Sequence, residues 1–360
     1  MTHLELFSGI GGFRRALDLL KLDGVMPFEC VGYSEIDAKA KQTYQINYDI
    51  GEEKDMGDIV SFTANPANIN ELAPFDLLTG GFPCQTFSVM GQQAGFNEDR
   101  GQMFFRIMDI IQARHPRYVL LENVKNLYRH DNGNTYARIE KELQNEGYHV
   151  FPNIFNTVDF HLPQKRSRVL IFATTEDVPE GFAENFTPEN VKALFDENYE
   201  NLGVSHYKTT LEVLERNAEQ RYFLSERLKP TILADGSANF KSHSDINQLI
   251  ARTLTASMHK MHRACQDNYY SQDFIESNGE INHVLDYTKE QLAQLDIRKL
   301  TPQEAFMLQG FPAKFATKSQ NAGVSNGALY KQAGNAVSVN VVYAVLYYLI
   351  TNKIIHEQYE

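Results

Sequence analysis

The stretch FDLLTGGFPCQTFS at residues 75–88 decides the fold class, because it joins a short apolar run to a loop rich in glycine and proline. The run at 75–79 is typical of a buried parallel strand. Gly80 and Gly81 permit a sharp turn, and Pro83 has a fixed φ angle directly before Cys84. Open α/β sheets bind their ligands at the carboxyl ends of the strands. The sequence therefore predicts that Cys84 lies at such an end, as a candidate nucleophile.

The rest of the first half alternates between strand and helix patterns. Such alternation predicts an α/β fold with a parallel sheet covered by helices on both faces. Strands are predicted at residues 4–7, 30–34, 75–79, 118–121, 147–151 and 169–173, and helices at 13–22, 38–48, 102–113, 136–145 and 338–351.

The pattern weakens in the second half of the chain. Proline, asparagine and acidic residues cluster over residues 178–201, and residues 202–297 mix short β-like runs with polar loops. This composition predicts a smaller, loop-rich domain. Regular structure returns at residues 300–304 (LTPQE), where Pro302 indicates the first turn of a helix.

Composition describes an ordinary globular protein and leaves its partner open. The net charge of −12 argues at first against nucleic acid, yet it is unevenly distributed. Residues 1–200 hold 18 Lys and Arg against 30 Asp and Glu, whereas residues 201–335 hold 15 against 14. A polyanion should therefore meet the second half or a local basic loop. Three cysteines predict neither a disulfide framework nor a metal site, and without a predicted signal peptide or membrane span we expect a cytoplasmic protein.

A glycine turn and two acids indicate a nucleotide-like ligand. The turn FSGIGGF at residues 7–13 lies between a predicted strand and a helix, where a ligand can approach the helix N-terminus. Glu35 and Asp58 are acids at the ends of successive strands, where a carboxylate can bind ribose hydroxyls or an adenine amino group. A plain tight turn and solvated strand ends are the alternative interpretations. Together the three elements favour a cofactor that contains adenosine.

Two further segments carry charge at the same predicted sheet edge. Glu122 directly follows an apolar strand, where partial burial would let it donate a proton; a helix cap or a solvated acid is the alternative. The loop QKRSR at residues 164–168 holds Arg166 and Arg168, which point to one side if the segment is extended. Two guanidiniums there suit a phosphate or a pyrimidine carbonyl, against the alternative of an ordinary exposed basic loop.

In this order the segments resemble the motifs of the DNA (cytosine-5)-methyltransferase family, of the bacterial restriction-modification type. The resemblance covers essentially the whole chain and implies a Rossmann-like methyltransferase sheet with a smaller target-recognition domain. It divides the chain into a catalytic and cofactor-binding domain (1–195 plus 331–360), a target-recognition domain (196–297) and a hinge segment (298–330). The matching motifs are LFSGIGGF (6–13), GGFPCQTFS (80–88), ENV (122–124), QKRSR (164–168), RKLTPQE (298–304) with QGFP (309–312), and QAGNAV (332–337).

The resemblance implies covalent catalysis on cytosine. Cys84 would add to C6 of the ring as a thiolate, so that C5 becomes nucleophilic enough to accept a methyl group. Glu122 would bind N3 and the exocyclic amine, and Arg168 would hold the O2 carbonyl. Arg166 and Arg168 would also favour the thiolate. The target base must be flipped out of the duplex for this chemistry.

The implied cofactor is S-adenosylmethionine. Three residues depart from the usual motifs: Glu5 replaces an Asp, Ile36 replaces an aromatic residue and Ala336 replaces a Ser, which leaves cofactor binding expected with an altered affinity. The cofactor contacts that the resemblance transfers are Phe13, Glu35, Ile36, Asp58, Ile59, Pro83, Met103, Asn335 and Ala336.

The resemblance also implies two sets of DNA contacts. The polar loop 85–101 is similar to the lid that closes over DNA, and Gln85, Ser88 and Arg100 are its predicted contacts. The run RTLT at residues 252–255 resembles the Thr-Leu element of the recognition domain, which adds Arg252 and Thr253. Further candidates for phosphate or base contacts, against the alternative of an exposed polar loop, are His259, Lys260, His262 and Arg263.

Two alternatives share the scaffold. One is a tRNA cytosine-5 methyltransferase, but that branch carries a Cys-Phe-Thr tripeptide in its second half and this sequence lacks it. The other is a DNA-binding relative without turnover, which the presence of Cys84, Glu122, Arg166 and Arg168 disfavours. We expect a monomer that acts on double-stranded DNA, with any cognate restriction endonuclease acting separately.

Overall fold

The computed structural model describes residues 1–83, 103–236, 241–277 and 287–357. The chain forms two compact units. Unit 1 comprises Met1–Asn156, Ser167–Val204 and Val341–Glu360, and unit 2 comprises Thr157–Arg166 and Ser205–Asn340. The boundary between the two units therefore falls between Arg166 and Ser167, inside the predicted basic loop. The functional division into catalytic, recognition and hinge segments stays a prediction.

Nine strands are found in the described part of the chain, seven of them in the sheet of unit 1. They are β1 (Thr2–Leu6), β2 (Glu29–Tyr33), β3 (Lys54–Asp55), β4 (Leu77–Gly81), β5 (Tyr118–Val124), β6 (His149–Asn156), β7 (Ser167–Thr174), β8 (Tyr269–Ser271) and β9 (Ile297–Lys299). The helices are α1 (Gly12–Leu22), α2 (Ala38–Asn47), α3 (Ile59–Thr63), α4 (Pro66–Asn70), α5 (Met103–Arg114), α6 (Asn134–Asn145), α7 (Phe182–Asn185), α8 (Pro188–Asn198), α9 (Lys229–Leu233), α10 (Gln272–Glu276), α11 (Lys289–Ala293), α12 (Pro302–Met307), α13 (Ala313–Asn321), α14 (Asn326–Asn335) and α15 (Val339–Thr351).

The sheet of unit 1 has the order β3-β2-β1-β4-β5-β7-β6 and confirms the α/β class. Its first five strands are parallel, as the sequence pattern predicts. One strand departs from the predicted parallel sheet, because β7 runs antiparallel to both β5 and β6. Antiparallel neighbours need no crossover helix, so the short 157–166 connection suffices to reverse the chain.

The parallel strands are apolar because both faces of the sheet are covered. Leu4, Leu78, Val119 and Ile171 are buried in a single core cluster with residues of α3, α4, α5 and α6. β1 also contains a fully buried acid, Glu5, between Leu4 and Leu6. Its position under the turn that follows β1 matters for the site described below.

Between residues 205 and 297, the described part of unit 2 forms only short elements, and its α-helices there have five residues each. β8 and β9 pair in antiparallel fashion, and a second, smaller core cluster includes Ile232, Tyr269 and Ile297. Arg298 and Glu304 form a doubly hydrogen-bonded pair with no exposed side-chain surface. The predicted helix start at residues 300–304 is confirmed, since Thr301 caps α12 and Pro302 begins it.

One helical stretch, Asn326–Thr351, is long and apolar enough to span a membrane by composition alone. However, 78% of its most apolar window is buried inside the protein. The stretch also consists of two helices, because α14 ends at Asn335 and α15 begins at Val339. Its hydrophobicity is that of helices packed into a core.

Candidate active site

The strand that leads to the predicted nucleophile is placed next to the predicted acid. Parallel pairing of β4 with β5 sets Gly81 opposite Glu122. The Asn123 amide fixes the chain beyond the strand, because its Nδ2 donates to the Phe82 carbonyl at 2.8 Å. Cys84, together with Gln85, Ser88 and Arg100, lies outside the described residues, so its role and theirs stay predictions.

Glu122 and Arg168 form an ion pair in unit 1. Arg168 Nε lies 3.0 Å from Glu122 Oε1, and both side chains keep less than a fifth of their surface exposed. The antiparallel pairing of β5 and β7 explains the contact, because it sets Val124 opposite Arg168 and Glu122 opposite Leu170. The two predicted catalytic side chains are therefore in direct contact with each other. The alternatives of a helix cap for Glu122 and an exposed basic loop for Arg168 do not describe this pair.

Arg166 has different partners, all of them in unit 2. Its side chain is buried, and its guanidinium donates to the carbonyls of Leu254 at 3.2 Å, Gly334 at 3.2 Å and Ala336 at 2.8 Å. Two of these carbonyls terminate α14, where a cation interacts favourably with the helix dipole. The expectation that both arginines share one face of an extended segment does not describe these contacts, because β7 begins only at Ser167.

The predicted glycine turn has the geometry that a close ligand approach requires. Phe7, Gly9 and Gly11 all have positive φ angles, of 54°, 56° and 80°, and α1 begins at Gly12. The Glu35 carboxylate accepts the Gly9 N–H at 2.8 Å and the Asp37 N–H at 2.6 Å. Burial raises the pKa of Glu35, while these hydrogen bonds act in the opposite direction. Glu35 thus joins the end of β2 to the turn, as the predicted nucleotide site requires.

The other predicted cofactor residues differ in what they expose. Ile36 is three-quarters exposed, and Pro83 is exposed as well. Asp58 accepts the Val60 N–H at 3.1 Å and so caps α3. Phe13, Ile59 and Met103 are buried or half-buried in unit 1. At the end of α14 in unit 2, Ala336 is buried and Asn335 is exposed.

Two tyrosines that sequence patterns did not predict form hydrogen bonds at the glycine turn and at the strand that precedes it. Tyr48 Oη donates to the Gly11 carbonyl at 2.7 Å, and a Cβ at Gly11 would lie 2.5 Å from the Tyr48 ring. One helical turn earlier, Tyr44 Oη donates to Glu5 Oε2 at 3.2 Å. Burial raises the pKa of Glu5 to about 8, against the opposing effect of Arg14. The spacing of four residues between the tyrosines indicates a shared helix face, but it does not indicate the partners of their hydroxyl groups.

The predicted recognition run at residues 252–255 lies in unit 2 and is tightly anchored. Arg252 Nε donates to the Ala264 carbonyl at 3.0 Å, and Arg252 Nη2 lies 3.5 Å from Asp245 Oδ2. The Thr253 hydroxyl donates to the Lys165 carbonyl. An open cleft of about 600 Å³ is lined by three residues of this run and by six other residues of unit 2. The residues of the run are Arg252, Thr253 and Thr255, and the others are Lys165, Ser257, His262, Cys265, Gln266 and Asp267.

The four basic candidates that follow the run are placed differently. His259 and Lys260 are exposed at a short 3-10 turn. His262 Nδ1 lies 3.1 Å from Asp267 Oδ2, and Arg263 Nη1 donates to the Asp235 carbonyl at 3.3 Å. Only His262 among these four lines the cleft. The exposed-loop alternative therefore fits His259 and Lys260 best.

Known proteins are similar to this chain in sequence over nearly its full length. The profile of the family described as "C-5 cytosine-specific DNA methylase" matches residues 1–351. The Type II methyltransferase M.NgoBI of Neisseria gonorrhoeae is 32% identical over 95% of this chain and 90% of its own length. The Type II methyltransferase M.HaeII of Haemophilus aegyptius gives the same values. The Type II methyltransferase M.HhaI of Haemophilus parahaemolyticus is 29% identical over 96% of this chain and 93% of its own length.

Solved structures support the fold. The S. pombe Dnmt2 methyltransferase superposes with a TM-score of 0.72 at 22% identity, covering 98% of each chain. The Entamoeba histolytica methyltransferase EhMeth also gives 0.72, at 19% identity, covering 99% of each chain. The sequence motifs, the mainly parallel sheet and the family match over residues 1–351 agree with one another. The chain belongs to the C-5 cytosine-specific DNA methylase family, and it is a DNA cytosine-5 methyltransferase.

Proposed function

We propose that this enzyme transfers a methyl group from S-adenosylmethionine to C5 of a flipped cytosine within a specific duplex sequence, through a covalent Cys84 adduct, as part of a restriction-modification system. The observation that carries this proposal is the Glu122–Arg168 ion pair of 3.0 Å. Glu122 lies on β5, which pairs with β4, and Cys84 comes three residues after the end of β4 in the sequence. An acid and a guanidinium held in this way match the polar edge of cytosine.

In the proposed mechanism each chain residue has a separate task. The Cys84 thiolate forms a bond to C6 of cytosine, and the electron pair of the C5–C6 bond becomes available at C5. Glu122 hydrogen-bonds N3 and the exocyclic amine, and it holds the proton at N3 while the adduct exists. Arg168 donates to O2 and stabilises the negative charge that develops there. Once C5 carries the methyl group, the C5 proton passes to water, the bond between C6 and the Cys84 sulfur breaks, and the aromatic ring is restored with the thiolate released.

The residues of the glycine turn fit the proposed cofactor. Ser8 Oγ is buried in this turn and has no hydrogen-bond partner among the described residues, as expected of a group that awaits a polar ligand. A Cβ placed at Gly9 would meet nothing within 4 Å, so the turn is open on that side. Ser8, Gly9 and Glu35 would hold the adenosine and amino acid parts, with Asp58 contributing a carboxylate. When bound, S-adenosylmethionine supplies an activated methyl group.

The choice of DNA over tRNA follows the sequence relatives. Those that match at about 32% identity over nearly the whole chain carry the name Type II methyltransferase. The missing Cys-Phe-Thr tripeptide points the same way. We further propose that the enzyme is a cytoplasmic monomer, and that a cognate endonuclease cleaves the unmethylated site separately.

Two measurements test the proposal. Methyl transfer from labelled S-adenosylmethionine should appear in duplex DNA and be absent from tRNA; labelled tRNA with unlabelled DNA would overturn the substrate assignment. Duplex DNA that contains 5-fluorocytosine should trap a covalent adduct on the intact enzyme. Cys84→Ala should bind the same DNA without forming that adduct, whereas an adduct that persists in the variant would overturn the role of Cys84.

A further inference from the structure

Lys165 occupies a segment whose backbone is fixed by Ala251 and by the recognition run that directly follows it. Ala251 N–H donates to the Pro163 carbonyl at 2.7 Å, and Lys165 N–H donates to the Ala251 carbonyl at 2.9 Å. These bonds form a parallel bridge between Gln164 and Ala251. The Lys165 carbonyl in turn accepts the Thr253 hydroxyl. Both backbone polar groups of Lys165 are therefore engaged, and its Cα position is set relative to the recognition run.

The two neighbours of Lys165 point into the protein. The Gln164 side chain is fully buried, and its amide donates to the Leu308 carbonyl at 2.9 Å while its oxygen accepts the Leu254 N–H at 2.9 Å. Arg166 is buried on its three carbonyl partners. In an extended segment, side chains alternate between opposite sides. The exposed Lys165 side chain consequently points away from Gln164 and Arg166, and it lines the open cleft.

Among the cations that line this cleft, Lys165 is the one left uncompensated within the described parts of the chain. The Arg252 guanidinium is engaged by the Ala264 carbonyl and by Asp245. The His262 ring is paired with the buried carboxylate of Asp267. No hydrogen bond or ion pair of the described residues involves the Lys165 ammonium. A single unpaired ammonium in a polar cleft suits an anion better than an apolar ligand.

We propose that Lys165 binds a phosphate of the DNA backbone and thereby places the recognition run at a fixed position along the duplex. This inference rests on the proposed function, and it assigns to Lys165 a part that the family motifs do not give it. A lysine contacts phosphate as a point charge, so its contribution is independent of sequence. Base discrimination would remain with the side chains of the recognition run, while Lys165 supplies affinity.

The salt dependence of DNA binding tests the proposal. A protein that loses one phosphate contact releases one counterion fewer, which lowers the magnitude of the negative slope of log K against log salt by about 0.9. We expect Lys165→Gln to show this change on a fluorescent duplex of arbitrary sequence in titrations over a range of KCl concentrations. Affinity at physiological salt should fall by about 3- to 10-fold, equally on duplexes with and without the methylation target. Lys165→Arg should keep the slope.

Lys318→Gln is the matched control. Lys318 is an exposed lysine of the same unit on α13, and it does not line the cleft. Its substitution makes the same change in net charge and should leave the slope unchanged. The proposal is overturned if Lys165→Gln keeps the parental slope, if Lys318→Gln lowers it equally, or if Lys165→Gln alters the preference for the target sequence. If any of these results is obtained while the parent enzyme methylates DNA, only the role of Lys165 is refuted. If the parent enzyme does not methylate DNA, the proposed function itself is refuted.

Discussion

Arg166 and Arg168 are two residues apart in one motif, yet they have opposite surroundings. Arg168 in unit 1 meets a carboxylate, Glu122, at 3.0 Å and remains partly exposed. Arg166 in unit 2 is buried and binds three backbone carbonyls instead. The first arrangement compensates charge beside a predicted reaction site, and the second ties three chain segments together. Two arginines of one motif therefore make different contacts: Arg168 pairs with an acid, and Arg166 donates to backbone carbonyls.

Removing the acid of the Glu122–Arg168 pair should produce the largest effect. We expect Glu122→Gln to lower kcat by about 100-fold or more, because the amide cannot hold a proton at N3 of cytosine. Single-turnover methylation of duplex DNA measures this loss, and thermal unfolding monitors the fold. A variant that retains parental kcat would remove Glu122 from the mechanism.

Replacing Arg166 should mainly affect stability. Arg166→Met leaves three buried carbonyls without their donor, which we expect to lower the free energy of unfolding by about 3 kcal/mol. Arg168→Met, the matched substitution at the partly exposed pair, should lower it by less than about 1 kcal/mol while reducing kcat much more. Chemical denaturation of both variants measures the free energy of unfolding, and single-turnover kinetics measures the change in kcat. The same stability loss in both variants would break the distinction between the two arginines.

Glu5 should make stability depend on pH. Its pKa lies near 8 in the folded protein, above the ordinary value of 4.5, because burial disfavours the charged form. Between these values the folded state binds more protons than the unfolded state, so stability falls as pH rises from about 5 to about 8. Arg14, Tyr44 and Asp18 also act on this carboxyl group.

We expect Glu5→Gln to flatten that dependence by up to about 1 kcal/mol per pH unit. The amide oxygen can still accept the Arg14 N–H, which the Glu5 carboxyl accepts at 3.3 Å. Urea denaturation at several pH values gives the measurement. Parallel curves for parent and variant would show that another group dominates this pH range.

Tyr48 should have the smallest effect, confined to cofactor binding. Tyr48→Phe keeps the ring beside Gly11 and removes the hydroxyl that donates to the Gly11 and Ile10 carbonyls. We expect a loss of about 1 kcal/mol, or about 5-fold in affinity for S-adenosylmethionine, with little change in kcat. Isothermal titration measures the affinity. An unchanged affinity would mean that the turn holds its conformation without these bonds.

The sequence predicted the sheet more reliably than the side-chain contacts. Apolar runs bounded by glycine turns predicted β1, β2, β4 and β5, because buried parallel strands leave a continuous apolar pattern in the sequence. The reversal of β7 was missed, since an antiparallel strand that is buried on both faces has the same apolar pattern.

The partners of Arg166 could not be predicted for a different reason. A spacing of two residues implies a common face only while one strand continues, and the boundary between the compact units separates Arg166 from Ser167. The support of the glycine turn by Tyr48 was equally hidden, because it joins residues 37 positions apart. Long-range contacts to backbone carbonyls leave no local pattern in the sequence.

Bisulfite sequencing tests the central claim most directly. A host without cytosine methylation would express the protein, and its genomic DNA would be compared with DNA from cells that express Cys84→Ala. We expect protected cytosines at one recurring sequence context with the parent protein, and none with the variant. Genomic DNA without protected cytosines, from cells that contain the folded parent protein, would contradict the assignment as a DNA cytosine-5 methyltransferase.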